Sequence, residues 1–407
     1  MHVLLLSQHY APEVTAARFR VEAFAQAFAR EGHRVSVVCP VPNHPAGVIE
    51  AGFRGRALTR RDLDGVEVNY VWVRTTPVKT TRERLAYYAS YAAAAVPVAV
   101  GLRPDVLLAS SPPLSVGAAA MLAARTLRRP WILDVRDLWP EAAVTIGELS
   151  EGSRAVRLAE RLERRLYRSA DRILTVTAPF VRSIGELATD PSRIELVANG
   201  TTRSWVEAGE RAADRAALNL PEDEFIWTYA GNLGPSRRLD LAIEAAAELG
   251  PRFRLLIIGS GGAVEALERQ AEQTASANVE FRPLMSAEDA ARHMRASDAL
   301  YVPQQPGLGD FVPSKLYDCW AVCRPAIVAA EGETLRLAVD ADAGLGISPE
   351  SIEELVEAVS ALAADAVLCE RLAINGKAMA LEYLRESQAS RVVSIAAELA
   401  GRRSRSR

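Results

Sequence analysis

Short apolar runs alternate with longer segments of helical periodicity along almost the whole chain. HVLLLSQ (2–8) is followed by a helical pattern from about Arg18 to Glu31, closed by Gly32, and then by RVSVVCP (34–40). DVLLASS (105–111) leads into LSVGAAAMLAARTL, PWILDVRD (130–137) comes next, and a long helix near 153–169 precedes RILTVT (172–177) and IELVANG (194–200). β-rich runs of this length, bounded by turns and separated by helices, predict βαβ units and a parallel sheet. The pattern lapses over 200–222. It restarts with FIWTYAGNLG (225–234), FRLLIIGSGG (253–262), NVEFRPL (278–284), DALYVPQ (298–304) and RPAIVAA (324–330). The prediction is α/β: two Rossmann-like, doubly wound parallel-sheet domains, with ligand crevices at the carboxyl ends of the strands facing a common cleft.

The length of 407 residues agrees with two domains, since single cores stop growing well below it. A net charge of −3 argues against a nucleic-acid binder. Four scattered cysteines (39, 319, 323 and 369) suit free thiols in a reducing compartment. Cys319 and Cys323 lie one helical turn apart, a spacing that suits metal or redox chemistry but is better read as two core thiols. The opening MHVLLLSQHY reads as a first strand and not as a signal peptide, so the expected location is cytoplasmic. Residues 85–102 approach the length of a membrane span, yet their alanine content and Pro97 favour a buried or interfacial helix. In the helix near 153–169, Arg154, Arg157, Arg161, Arg164 and Arg168 form one stripe. Two readings stand side by side: a surface for anionic lipid, peripheral on the inner face of the cell membrane, or a solvated face with pairs such as Glu160–Arg164.

Several loops at strand ends carry chemistry a core does not need. In AGNLGPSRRLDLAIEAAAEL (230–249), Arg237 and Arg238 stand where a helix begins, a favourable place for a diphosphate. IIGSGG (257–262) is a second Gly-rich turn, though not a dinucleotide fingerprint. In GDFVPSKLYDCWAVCRPAIV (309–328), Pro313 suits a helix start, and Asp318 falls on the polar side of that helix. Pairing of Asp318 with Lys315 explains that acid but leaves Asp310 unexplained. SQHYAPEVTAARFR (7–20), VPNHPAG (41–47) and DVRDLWPE (134–141) are polar loops of the N-terminal half. The sequence has no Ser-His-Asp spacing, HExxH, P-loop or paired-Cys zinc pattern, which lowers hydrolytic and metal chemistry.

Together YAPE, PNHPAG, DVRDLWPE, VANG, AGNLG and VPSKLYD…RP resemble the GT-B glycosyltransferases of retaining family 4 over essentially the whole chain. Within that family the chain is most similar to the fucosamine-transferase-like branch of bacterial surface-polysaccharide enzymes. The resemblance implies a retaining transfer of a hexosyl or N-acetylhexosaminyl group from a nucleotide sugar, with UDP the commonest base, to an acceptor hydroxyl. It implies no metal or other cofactor, and a glycan, lipid-linked or small-molecule acceptor. The family's two donor-site glutamates, seven residues apart between, correspond to Asp310 and Asp318, each one methylene shorter. By the resemblance Asp318 contacts the ribose and Asp310 the sugar, while the N–H groups of Phe311 to Lys315 help hold the diphosphate. It places Gly231, Asn232, Arg237, Arg238, Gly259, Leu284, Val312, Pro313, Ser314 and Lys315 on the donor, and Tyr10, Glu13, Asn43, His44 and Arg136 on the acceptor side. Arg238, Asp310 and Asp137 are its catalytic candidates. Asn232 stands where the family usually has Arg, Thr202 where it has Asp, and Arg136 where it often has His.

The implied domains are 1–200 on the acceptor side and 201–385 on the donor side. A helix at about 386–400 packs back on the first, and a basic tail at 401–407 is disordered. Competing readings are a natural-product glycosyltransferase, a GT-B epimerase, for which the C-terminal half offers only His293, and a non-enzymatic nucleotide-sugar binder.

Overall fold

A computed structural model describes residues 1–404 apart from Pro45, Val78, Lys79, Ile146, Glu148, Thr189 and Ala275. Pro45 of the PNHPAG loop and the last three residues of the basic tail lie outside the described residues. The chain divides into two units, Met1–Ala198 with Glu386–Arg407, and Asn199–Arg385.

The first unit runs β1 (His2–Leu6), α1 (Ala16–Arg30), β2 (Arg34–Pro40), β3 (Leu58–Leu63), β4 (Val66–Val71), α2 (Thr81–Leu102), β5 (Val106–Ser111) and α3 (Leu114–Leu127). It continues with β6 (Trp131–Val135), α4 (Glu141–Thr145), α5 (Arg154–Ser169), β7 (Arg172–Thr175), α6 (Ala178–Leu187) and β8 (Ile194–Leu196). The strand order is β3-β4-β2-β1-β5-β6-β7-β8. Every pair is parallel except β3–β4, a hairpin turned by Asp64 and Gly65 at positive φ. Strands β1, β5 and β6 are buried at every position, as apolar runs covered on both faces should be. Helices α2, α3, α5 and α6 pack side by side in that order.

The second unit runs α7 (Arg203–Glu207), α8 (Arg211–Ala217), β9 (Phe225–Asn232), α9 (Leu239–Leu249), β10 (Phe253–Ser260), α10 (Val264–Gln273), β11 (Val279–Arg282), α11 (Ala287–Ala296) and β12 (Ala299–Pro303). It goes on with α12 (Ser314–Ala321), β13 (Ala326–Ala329), α13 (Gly332–Asp340), β14 (Gly344–Ile347), α14 (Ile352–Ala364) and α15 (Ala366–Glu382). Its six parallel strands are ordered β11-β10-β9-β12-β13-β14. The order reverses between β9 and β12, the switch point at which α/β sheets open a crevice. The expected lapse over 200–222 holds the short helices α7 and α8. Here Arg211 and Arg215 bind Asp298, the residue just before β12.

The last helix, α16 (Arg385–Ser404), buries Ala389, Val392, Val393 and Ala396. It continues through Gly401–Ser404, residues expected to be disordered. Gly401 costs about 1 kcal/mol in a helix interior, too little to stop one already propagating from Arg385. The two crossings of the chain lie side by side: Thr201 N–H donates to Tyr383 O at 3.0 Å and Arg385 N–H to Thr201 O at 2.8 Å. A Cβ on Gly200 would meet Tyr383 O at 2.0 Å, so this approach requires glycine.

Candidate active site

At the switch point of the second unit, the carboxyl ends of β9 and β10 lie very close. Gly231 and Gly259 are register partners with φ of 146° and 145°. A Cβ on Gly259 would fall 1.9 Å from Gly231 O, and one on Gly231 would fall 2.5 Å from Lys315 Nζ. Only glycines leave room here, and the room is taken by the Lys315 amine. That amine donates to Ala230 O and stands 3.8 Å from the centroid of the Tyr229 ring. Burial, aided by the nearby Arg237 guanidinium, pushes it down to about 8. Neither Arg237 nor Lys315 has a carboxylate as ion-pair partner among the described residues. An amine and a guanidinium that feel each other's charge, with no carboxylate at ion-pair distance among the described residues, thus stand at the open end of a parallel sheet, an arrangement chemically able to receive an anion.

Arg238 stands differently. Its guanidinium binds Asp240 at 3.0 Å and Glu350 at 2.7 Å, so two local acids already hold the charge expected for a phosphate. Asn232 is exposed, and its carbonyl accepts the Tyr229 hydroxyl at 2.7 Å. Leu284, just beyond β11, is an exposed apolar side chain.

The loop from β12 to α12 is braced from below. Buried Gln304 donates to Leu308 O and Phe311 O, and Thr334 Oγ1 donates to Phe311 O. Glu331 accepts the Gly307 N–H, and Gly309 O accepts the Glu333 N–H. This fixes Asp310 at an exposed apex. It also removes Phe311 from the expected N–H set, because that group already donates to Leu308 O at 3.0 Å. Pro313 has no N–H, and Val312 and Pro313 are buried. The first-turn N–H groups of Ser314 and Lys315 remain, since α12 starts there.

Asp318 is half-buried and pairs with Arg385 at 3.2 Å, while Arg385 Nη1 donates to Thr202 Oγ1 at 2.7 Å. Burial raises its carboxyl above the usual range, against Arg385 and Lys315. The acid expected at the ribose is therefore tied to both chain crossings. Sequence reasoning missed Arg385 because it lies 67 positions away.

In the first unit, the loops after β1 and β2 are joined by Glu13. Its Oε1 accepts the N–H groups of Asn43 and His44 at 2.8 and 2.9 Å, and its Oε2 meets His9 Nδ1 at 2.6 Å. Burial pushes the Glu13 carboxyl up, but His9 and the two N–H groups outweigh it and hold it below the usual range. The His9 and His44 rings meet edge-on, 5.1 Å apart. Asn43 Nδ2 reaches Val41 O and the Tyr87 hydroxyl. Glu13 is thus an internal brace that presents His9 and His44, and His9 was not foreseen. Tyr10 turns into the core, 4% exposed.

At the ends of β5 and β6, buried Arg20 and Asp134 pair at 2.8 Å, and Arg20 also donates to Val197 O and Ala198 O. Ser110 Oγ donates to Asp134 and accepts from Arg136 Nε, whose Nη2 reaches Pro112 O. Arg136 is spent on this network. Asp137 follows it, half-buried.

Residues 15–200 match the family model described as a glycosyl transferase 4-like domain, and residues 210–379 the one described as glycosyl transferases group 1. The chain is a GT-B glycosyltransferase. This glycosyltransferase is 26% identical over 380 residues to WcaI of Escherichia coli (strain K12), a protein named for glycosyl transfer in colanic acid biosynthesis; the match covers 88% of this chain and 91% of WcaI. Its fold is shared with sucrose-phosphate synthase from Thermosynechococcus elongatus at a TM-score of 0.79, with 17% identity and 98% of each chain covered. It is also shared with Anabaena HepE, solved in complex with UDP-glucose, at a TM-score of 0.72, with 15% identity and 97% and 99% covered.

Proposed function

We propose that this glycosyltransferase moves a hexosyl or N-acetylhexosaminyl group from a UDP-sugar to an acceptor hydroxyl, with retention of configuration, in bacterial cell-surface polysaccharide or lipid-linked glycan synthesis. The observation that carries the reading is the Lys315 amine, lodged against Gly231 within the influence of the Arg237 guanidinium, neither cation having a carboxylate at ion-pair distance among the described residues. The relatives support it: WcaI is named for colanic acid biosynthesis, and HepE binds UDP-glucose.

In this reading the diphosphate lies against Lys315, Arg237 and the first-turn N–H groups of α12. As the sugar–oxygen bond breaks, the two cations meet the charge developing on the leaving phosphate, which is electrostatic stabilisation and calls on no metal. The acceptor oxygen attacks from the same face and passes its proton to the departing phosphate oxygen. Asp318 takes the ribose and Asp310 the sugar. An epimerase is disfavoured by His293, which is buried, held by Arg282 and Asp289 O, and lowered by burial.

The test is a thermal-shift and calorimetric panel of UDP, UDP-sugars, GDP-sugars and NAD, followed by turnover with the best donor. Stabilisation by UDP and an α-linked product from an α-linked donor are expected. No response to any nucleotide overturns the reading, and an inverted product overturns retention.

A further inference from the structure

Two features of the first unit lie outside the transfer site and have no use in it. The first is a hollow of about 450 Å³ lined by Arg125 of α3 and by Arg161, Arg164, Arg165 and Arg168 of α5. Among the described residues the one carboxylate at ion-pair distance from these five is Glu160, 3.9 Å from Arg164. Helix α5 buries Val156, Leu166 and Tyr167 on its other side, so the arginines form a distinct outward face. In a chain whose net charge is −3, so much like charge in one place is a segregated patch. Crowding of this kind costs stability unless an anion answers it.

The second feature is α2, two helices away in the same layer. Residues Arg82–Leu102 have the length and mean hydropathy (1.5) of a membrane span, yet 17% of the apolar window is buried. Tyr91, Ala95 and Ala99 face the core. The exposed stripe at four-residue spacing is Leu85, Ala89, Ala93, Pro97 and Gly101, with no charged or hydrogen-bonding side chain. A solvated helix face normally carries both. Leu122 of α3 and Leu158 of α5, 49% and 67% exposed, extend apolar surface toward the arginines.

We propose that the α2–α3–α5 layer docks on an anionic phospholipid bilayer, with the arginine hollow taking lipid phosphates and the α2 stripe resting among the acyl-chain ends of the headgroups. A free phosphate or a nucleic acid answers the arginines but leaves the apolar stripe in water. A second copy of the chain answers the stripe but brings no excess of negative charge to the hollow. A bilayer with acidic headgroups answers both, and the long arginine stems can lie along its apolar boundary. The inference goes beyond the transfer reaction and does not depend on which nucleotide sugar is the donor.

Co-sedimentation of the full chain with phosphatidylcholine vesicles, with and without phosphatidylglycerol, tests it. Binding is expected with phosphatidylglycerol and should weaken as salt is raised. Each of Arg161→Gln, Arg165→Gln and Arg168→Gln should lower partitioning about fivefold, the effect of one basic residue at an anionic surface. The triple Leu85→Gln, Ala89→Gln, Ala93→Gln keeps good helix formers and should remove the part of binding that survives high salt. Thermal shifts with UDP should be the same in all variants, which separates a failure of this proposal from a failure of the donor assignment. The proposal is overturned if the wild type ignores anionic vesicles, or if neither set of substitutions changes binding. It is overturned equally if inorganic phosphate at the same charge concentration displaces the vesicles, or if light scattering shows a dimer that the α2 substitutions dissociate.

Discussion

The Lys315 amine sits over the Tyr229 ring, 3.8 Å from its centroid, in the space that a side chain on Gly231 would fill. The ring and the Ala230 carbonyl are weak compensation for the water the amine gives up, and burial lowers it to about 8. A bound diphosphate would supply the missing anion and raise it again. Affinity for UDP should therefore be greatest below about pH 8 and fall by about tenfold over the next two pH units, as the amine loses its proton. Calorimetry across that range checks the fall, and proton uptake on binding near pH 8 should appear as a dependence on buffer ionisation enthalpy. Lys315→Met should bind weakly at all pH values and show no such dependence.

Asp318, proposed for the ribose, also pairs with Arg385, and two substitutions separate the roles. Asp318→Ala removes the carboxylate at 3.2 Å from the half-buried Arg385 guanidinium and should cost about 1–3 kcal/mol of stability as well as UDP affinity. Asp318→Asn keeps a hydrogen-bond acceptor for Arg385 and should cost little stability while still weakening UDP. Melting temperature and UDP affinity are measured on both variants. If UDP binds normally to both, Asp318 braces the chain crossings and is not the ribose contact.

Much of this architecture is legible in residues that are neighbours in sequence. The apolar runs of β1, β5, β6 and β9 announce parallel strands, and the Gly-rich ends of β9 and β10 announce the close backbone approach of Gly231 and Gly259. What escapes is decided by distant partners. LTRRDLDGVEVNYV carries its hairpin turn at Asp64-Gly65, but the charged outer strand β3 hides the alternation. Arg238 reads as a phosphate ligand until Glu350, 112 positions later, is seen to hold it. Glu13 reads as acceptor chemistry until Asn43 and His44 are found donating to it. Local pattern specifies the elements, but which charge remains available is settled only by packing.

Glu13 gives a pH-dependent test of the loop brace. A carboxyl held below its usual value of 4.5 contributes stability that is present above that value and lost as pH falls through the lowered one. Glu13→Gln should therefore be less stable than the wild type at neutral pH, by about 1–3 kcal/mol. The gap should close in acid once the wild-type carboxylate takes up its proton. Melting curves of both proteins from neutral pH into acid check this. A gap that stays constant with pH would show that shape, not charge, is what the two loops need.

Arg237 and Arg238 are adjacent in sequence but differ in what they can offer a ligand. Arg238 already has Asp240 and Glu350 at hydrogen-bond distance, and an arriving diphosphate would have to compete with both. Arg237 has no carboxylate at ion-pair distance among the described residues, and its charge adds to the burial that lowers Lys315 and opposes the burial that raises Tyr229. Arg237→Ala should thus weaken UDP binding by about tenfold or more, in line with loss of a charge-assisted contact. Arg238→Ala should change UDP binding less, and stability by no more than about 1 kcal/mol, because its pairs are solvent-exposed. Calorimetric titration of both variants with UDP decides the order. The reverse order would mean that Arg238 leaves Asp240 and Glu350 when the donor binds, which would restore it as the principal phosphate contact.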